Sequence, residues 1–167
     1  MKHTGRTTLD VPIDRVDLSE WLFTLSDAEY QAAAPTAHRA AGTFVQNGVR
    51  GSVNVEVIGG HLIIQHYREV TATPTHVEMF STRSRVYLFH LVPAHIQVRW
   101  TMSAADQTAG TSEFRCTVEL IMNPLLRFLG AMSGLSPAIR RHTRIETQGF
   151  ADDIVRKAKA AAKHTAP

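Results

Sequence analysis

Residues 123–157 read Asn123-Pro-Leu-Leu-Arg-Phe-Leu-Gly-Ala-Met-Ser-Gly-Leu-Ser-Pro-Ala-Ile-Arg-Arg-His142-Thr-Arg-Ile-Glu146-Thr-Gln-Gly-Phe150-Ala-Asp-Asp-Ile-Val-Arg-Lys157. Up to Met122 apolar residues alternate as they do in strands; from Asn123 onward they fall at helical spacing. A closing amphipathic helix must bury its stripe, and the only large apolar surface ahead of it is an antiparallel sheet. The change of period therefore predicts an α+β fold in which a curved antiparallel sheet of six to eight strands wraps around one long C-terminal helix. A cavity is expected between the two.

Within the stretch, Ser136-Pro137 reads as a helix start, with serine at the N-cap and proline at the first helical position. The inward stripe is Ile139, His142, Thr143, Glu146, Phe150 and Ile154. Polar residues interrupt it, and Gly149 beside it suits the close approach of a strand. Beyond Lys157 the stripe is lost, and the tail from about residue 158 is expected to fray. The preceding segment, Leu125 to Leu135, is strongly apolar but carries Gly130 and Gly134, which weaken a helix by about 1 kcal/mol each relative to alanine. It reads either as a core-capping helix or as a gate that is buried at rest and opens over a greasy ligand.

Upstream, residues 6–12 read as a first strand stopped by Pro12. A helix from Asp14 to Leu25 follows, capped by Asp14 or Asp17, and a second from Asp27 to Ala34 is capped by Ser26. Residues 38–122 form six or seven strands broken at Asn47-Gly48, Gly59-Gly60, Thr73-Pro74, Val92-Pro93 and 106–110. Three strands alternate cleanly: Val53, Val55 and Val57; Ile96, Val98, Trp100 and Met102; Phe114, Cys116, Val118, Leu120 and Met122. Asn54 and Glu56 are then placed on a wet outer face, together with the polar residues between the apolar ones in the other two strands.

The chain has 167 residues, 44% of them hydrophobic, and a net charge of +3, which bounds it to a single globular domain spanning 1–167. No apolar run approaches the length of a membrane span, and the N-terminus leads into an alternating segment and not a signal sequence. The lone Cys116 agrees with a reducing compartment and reads as buried packing, so a cytoplasmic protein is expected. The late cluster Arg140, Arg141, Arg144, Arg156, Lys157, Lys159 and Lys163 is interrupted by Glu146, Asp152 and Asp153 and lacks interleaved aromatics. It reads as a solvated face, with no nucleic-acid partner.

The element order resembles the helix-grip fold of the START-like superfamily, also called the polyketide cyclase and dehydrase or SRPBCC superfamily. The resemblance rests on Thr7 to Pro12 with the helix after it, on the strand run ending in Phe114 to Met122, and on His142-Thr-Arg-Ile-Glu146-Thr-Gln-Gly-Phe150, and it covers nearly the whole chain. It implies an internal cavity, binding of hydrophobic small molecules such as lipids, sterols or polyketides, and often no catalysis.

Nine histidines are present, but His61 and His66 point to opposite strand faces, as do His90 and His95, and there is no His-x-His, His-Glu-x-x-His or cysteine pair. No metal site and no cofactor are expected. His142 and Glu146, at i and i+4, share a helix face. They either hold a polar headgroup, act as an acid/base pair, or form an ordinary ion pair with Arg140 or Arg99 as further partners. Tyr67, Tyr87 and Trp100 are candidate cavity-lining donors. The apolar ligand site is expected from Val55, Val57, Leu88, Ile96, Val98, Trp100, Phe114, Val118 and Leu120, closed by Leu129, Met132 and Phe150, with polar contacts from His142, Glu146 and His90. A binder of a hydrophobic or amphipathic molecule is the leading reading. A cyclase or aromatase is the alternative, and a protein-interaction module presenting the basic helix is a third.

Overall fold

The computed structural model describes residues 1–108 and 110–165. Seven strands make one antiparallel sheet: β1 (Lys2–Leu9), β2 (His38–Gln46), β3 (Val49–Ile58), β4 (His61–Ala72), β5 (His76–Leu88), β6 (Val92–Thr108) and β7 (Thr111–Ile121). Their spatial order is β1-β7-β6-β5-β4-β3-β2. Six strands thus follow one another as hairpins, and the first pairs with the last, so that Thr7 lies opposite Phe114. Register shifts between Ile64 and Arg68 on β4 and between Ser81 and Ser84 on β5 bend the sheet, since an extra residue on one strand increases local twist and curvature. Ser81 and Ser84 are buried there and bonded to each other at 2.8 Å.

Two short helices, α1 (Leu18–Phe23) and α2 (Asp27–Ala33), follow β1 and a 3₁₀ turn at Ile13–Arg15. The expected first helix from Asp14 is therefore split. Asp17 is the cap that acts, its carboxylate accepting from the Glu20 N–H at 2.8 Å. Ser26 and Glu29 form a reciprocal capping box on α2, which satisfies two N–H groups left unpaired at a helix start. β1 also starts earlier than the sequence suggests and ends at Leu9, before Pro12. The break expected at Val92-Pro93 falls instead at Phe89 and His90, which both have positive φ, and Val92 opens β6.

After β7 come α3 (Pro124–Met132) and the long α4 (Leu135–Thr165). Asn123 caps α3 by accepting from the Leu126 N–H at 2.9 Å. α4 crosses the concave face of the sheet and buries Ile139, Phe150, Ala151 and Ile154 against Val98, Trp100, Met102, Phe114 and Leu120. Two glycines set its depth. A Cβ on Gly5 of β1 would overlap the Thr147 side chain of α4, and one on Gly149 of α4 would overlap the Ala33 backbone. The strand that comes close thus does so through its own glycine, whereas Gly149 admits α2. The helix continues to Thr165, past the end of its apolar stripe, with Lys159 bonded to Asp10 at 2.7 Å.

One strand faces the opposite way from its expected orientation. On β3 it is Ser52, Asn54, Glu56 and Ile58 that are buried, while Val53, Val55 and Val57 lie half-buried on the other face. The alternation is real, but its polar half faces α4, because β2, β4 and α4 supply partners for the polar groups.

Candidate functional site

The inward face of β3 meets α4 in a buried polar cluster. His38 at the start of β2, Glu56 of β3, and His142 and Glu146 of α4 are each at most 6% exposed. One nitrogen or oxygen from each lies within 4.8 Å of all the others. The imidazole Nε2 of His38 is 3.6 Å from Glu146 and 4.0 Å from Glu56; that of His142 is 3.7 Å from Glu56 and 3.9 Å from Glu146. Each carboxylate thus turns one oxygen toward each imidazole.

The surrounding residues hold these groups in place. Tyr30 donates its hydroxyl to Glu56 at 2.6 Å, and the Gln65 amide donates to the other Glu56 oxygen at 3.2 Å. The Tyr30 ring stacks on His38 at 3.8 Å between centroids, with 3° between the planes. His38 Nδ1 is 2.6 Å from the Tyr30 carbonyl oxygen. A carbonyl can only accept, so this nitrogen carries a proton. The opposite nitrogen, Nε2, is buried and has no hydrogen-bond partner, and neither has Gln65 Oε1. Trp100 donates its indole N–H to Cys116 at 3.2 Å, and the thiol lies 3.8 Å from Glu146.

Burial disfavours every charge here, and the cluster answers with opposite charges. Burial alone would raise the Glu56 pKa, but His142 and His38 together with the Tyr30 and Gln65 hydrogen bonds hold it below the usual carboxylate range. Burial alone would lower that of His38, yet the Glu146 and Glu56 carboxylates draw it above its ordinary value. The same burial and carboxylates push the Tyr30 and Tyr67 hydroxyls well up, and the Cys116 thiol rises too, so all three stay protonated at neutral pH. Cys116 is buried packing, as its neighbours in the sequence suggest.

The pocket at the cluster is lined by Asn54, Glu56, Ile58, Ile63, Gln65, Tyr67, Trp100, Val118, Leu120, Ile139, His142 and Glu146. Its volume is about 10 Å³, room for one ion or one water and no more. The spacious cavity expected from the sequence is thus closed down, because the cluster and Tyr67, Trp100 and Ile139 fill the grip.

Of the residues expected to bind ligand, Trp100, Val118, Leu120, His142 and Glu146 meet around this pocket. Ile96, Val98, Phe114 and Phe150 are buried in the core beside it, and Leu88 packs at its edge. The others lie apart. Val55 and Val57 are on the far face of β3, and His90 sits exposed in the β5–β6 turn. Leu129 and Met132 are 42% and 74% exposed. The reading of Leu125–Leu135 as buried at rest is corrected likewise: Leu125 and Phe128 are exposed, and of the segment's large apolar side chains Leu126 and Leu135 alone turn inward. Phe89 and Leu91 in the β5–β6 turn and Val92 at the start of β6 are exposed, and His61 links that turn to the C-cap of α3, accepting from the Phe89 N–H at 3.1 Å and lying 3.4 Å from the Ser133 hydroxyl.

The ion-pair partners suggested for Glu146 lie elsewhere. Arg99 pairs with Glu78 and Glu119, while Arg140, Arg141 and Arg144 line an open groove with Arg6 beside β1. Arg156 and Lys157 are paired with Glu29 and Asp153. His38, Tyr30 and Gln65 escaped the sequence reading. The one signal for Gln65 is its place between Ile63 and Tyr67 on an inward strand register; nothing local marks His38.

No protein-family model matches the chain, and no curated protein matches its sequence. Solved structures do resemble it. The Zhui aromatase/cyclase from Streptomyces sp. R1128 superposes with a TM-score of 0.62 at 12% identity, covering 96% of this chain and 97% of that one. The di-domain aromatase/cyclase StfQ of the steffimycin biosynthetic pathway gives a TM-score of 0.60 at 12% identity, over 95% of this chain and 46% of that one. The protein TTHA0849 from Thermus thermophilus gives 0.58 at 11% identity, over 94% and 99%. The fold is a helix-grip fold, a curved antiparallel sheet around one long C-terminal helix, like that of these aromatase/cyclases. Among the described residues, no helix is long and apolar enough to cross a membrane.

Proposed function

We propose that the protein binds a hydrophobic or amphipathic small molecule, of lipid or polyketide type, between the sheet and α4. The observation that carries this reading is the exposed apolar end of the grip: Phe89 and Leu91 in the β5–β6 turn, Val92 at the start of β6, and Leu125, Phe128, Leu129 and Met132 on α3. Such surface is costly in water and marks a binding region. α3 is held between its Asn123 cap and Gly134, whose φ is +72°, a conformation that glycine adopts without strain. Swinging α3 outward exposes Leu126, which packs on the core, and Leu135, which lies against Gly130. The pocket of about 10 Å³ must widen as well, by separation of α4 from the sheet, for the ligand's apolar part to lie against Val118, Leu120 and Trp100 and its polar end to meet His142 and Glu146.

A second reading is a cyclase-type enzyme that uses the same pocket. It is favoured by two carboxylates and two imidazoles converging on one buried point, an arrangement able to take and return a proton next to a bound carbonyl compound. The two readings separate in one experiment. Purified protein carrying Trp21→Phe, which leaves Trp100 as its one tryptophan, is titrated with fatty acids and aromatic polyketides while fluorescence is followed, and each mixture is then analysed for products. Saturable quenching with unchanged compound supports binding; a new product that disappears in Glu146→Gln supports the enzyme. A flat titration across both compound classes would refute both.

A further inference from the structure

We propose that His38, Glu56, His142 and Glu146 form a binding site for one divalent first-row transition-metal ion. The geometry comes first. Four donor atoms from three separate elements lie within 4.8 Å of one another. Their imidazole–carboxylate separations, 3.6 to 4.0 Å, are too long for hydrogen bonds. Ligands at about 2.0–2.2 Å from a tetrahedral centre lie roughly 3.3–3.6 Å apart, so the four donors, now within 4.8 Å of one another, complete the shell by drawing in by up to about one ångström.

Hydrogen bonding points the same way. The Nδ1–H of His38 is spent on the Tyr30 carbonyl, which directs the Nε2 lone pair into the cluster, where nothing donates to it. A backbone carbonyl on the far nitrogen is the usual support of a metal-bound histidine. Gln65 must turn its NH₂ to the Glu56 carboxylate, which leaves its own oxygen buried beside the same pocket without a partner. Tyr30 is likewise spent on Glu56. Two acceptors, His38 Nε2 and Gln65 Oε1, are thus left without a donor beside the two carboxylates.

Charge and size complete the argument. Two buried carboxylates carry two negative charges, and among the described residues neither is paired with a lysine or arginine. A dication balances them with both imidazoles neutral. Glu56, His142 and Glu146 share the wall of the pocket of about 10 Å³ with Gln65, Tyr67, Trp100 and apolar side chains, a size that suits one ion or one water. Two imidazoles with two carboxylates match zinc, iron(II), cobalt(II) or manganese(II), whereas calcium and magnesium take all-oxygen shells and copper(I) prefers sulfur. The rival arrangement has both histidines protonated, leaving their N–H groups 3.6 Å or more from any carboxylate oxygen.

The test uses the whole chain, stripped with chelator and titrated with zinc chloride by calorimetry, with no organic ligand present, so its outcome is independent of the proposal for the apolar end. One zinc per chain is expected, with Kd of about micromolar or tighter, and His38→Ala and Glu56→Gln should each weaken binding at least about a hundredfold. X-ray absorption of the zinc-loaded wild-type protein should show two imidazole nitrogens and two oxygens at about 2.0–2.2 Å; this measurement decides the matter even where a variant does not fold. Absence of stoichiometric binding, a shell without two imidazoles, or folded variants that bind as tightly as the wild type would each overturn the proposal.

Discussion

Replacing Tyr30 with phenylalanine removes a single oxygen from the support of the buried cluster. The ring is fully buried and stacked on His38, and phenylalanine keeps that stack. What is lost is the 2.6 Å bond to Glu56, leaving one oxygen of a carboxylate that is 4% exposed without its donor. A hydrogen bond to a charged group contributes about 1.5–3 kcal/mol, and stranding a buried acceptor costs a similar amount. The cavity left by one oxygen adds little. Tyr30→Phe should therefore lower stability by about 2 kcal/mol, or about 4–8 °C in Tm for a chain of this size. Urea denaturation at neutral pH measures it, and a cycle with Glu56→Gln isolates the pair. In the Glu56→Gln background the same change should cost less than about 0.5 kcal/mol, because a neutral amide demands less of its donor and Gln65 can turn to meet it. A Tyr30→Phe protein within about 0.5 kcal/mol of the wild type would refute the reading of Glu56 as an ionised, hydrogen-bonded carboxylate.

Gly149→Ala drives a methyl group into the Ala33 backbone; the gain in helix propensity of about 1 kcal/mol is outweighed by overpacking, and a net loss of about 2 kcal/mol should appear in thermal denaturation. Phe128→Ser and Met132→Ser, at 63% and 74% exposed, should change stability by less than about 0.5 kcal/mol each while slowing uptake of a fluorescent fatty acid severalfold; unchanged stopped-flow rates would count against α3 as the gate. Burial tends to raise the Glu29 pKa, but the Ser26 N–H and hydroxyl and Lys157 hold it at about 2. Its stabilising contribution is therefore complete above about pH 4.5 and lost as pH falls toward 2. Glu29→Gln should flatten that part of the stability profile by about 1–2 kcal/mol after solvent screening, and an unaltered acid limb would show that the pairing with Lys157 and Arg156 contributes nothing.

The period change at Met122 made the sheet and closing helix legible, since burial of one face writes itself directly into spacing. Ile96 to Met102 and Phe114 to Leu120 also showed the correct inward face, because that face is apolar. β3 did not. Its two faces are Val53, Val55 and Val57 against Ser52, Asn54 and Glu56, and hydrophobicity alone selects the valines. What reverses the choice is a set of partners distant in sequence: Tyr30 is 26 residues from Glu56, and Glu146 lies far beyond both. The pair His142 and Glu146 was visible because i and i+4 on a helix are neighbours by construction. His38 was invisible because its place beside them arises only when β2 pairs with β3 and α4 crosses the sheet. α3 was misjudged for a related reason: its apolar residues read as buried, yet its own helix turns most of them to the solvent side. Period reports which residues share a face, and partners decide which way that face turns.

Native mass spectrometry of protein purified gently from its own cells tests the binding account most directly. A fraction of the chains should carry one small apolar or amphipathic molecule, which is released on denaturation and lost when Leu120 is enlarged or Trp100 is made polar in folded variants. Chains that carry no organic molecule, and that acquire none on incubation with fatty acids or aromatic polyketides, would contradict it.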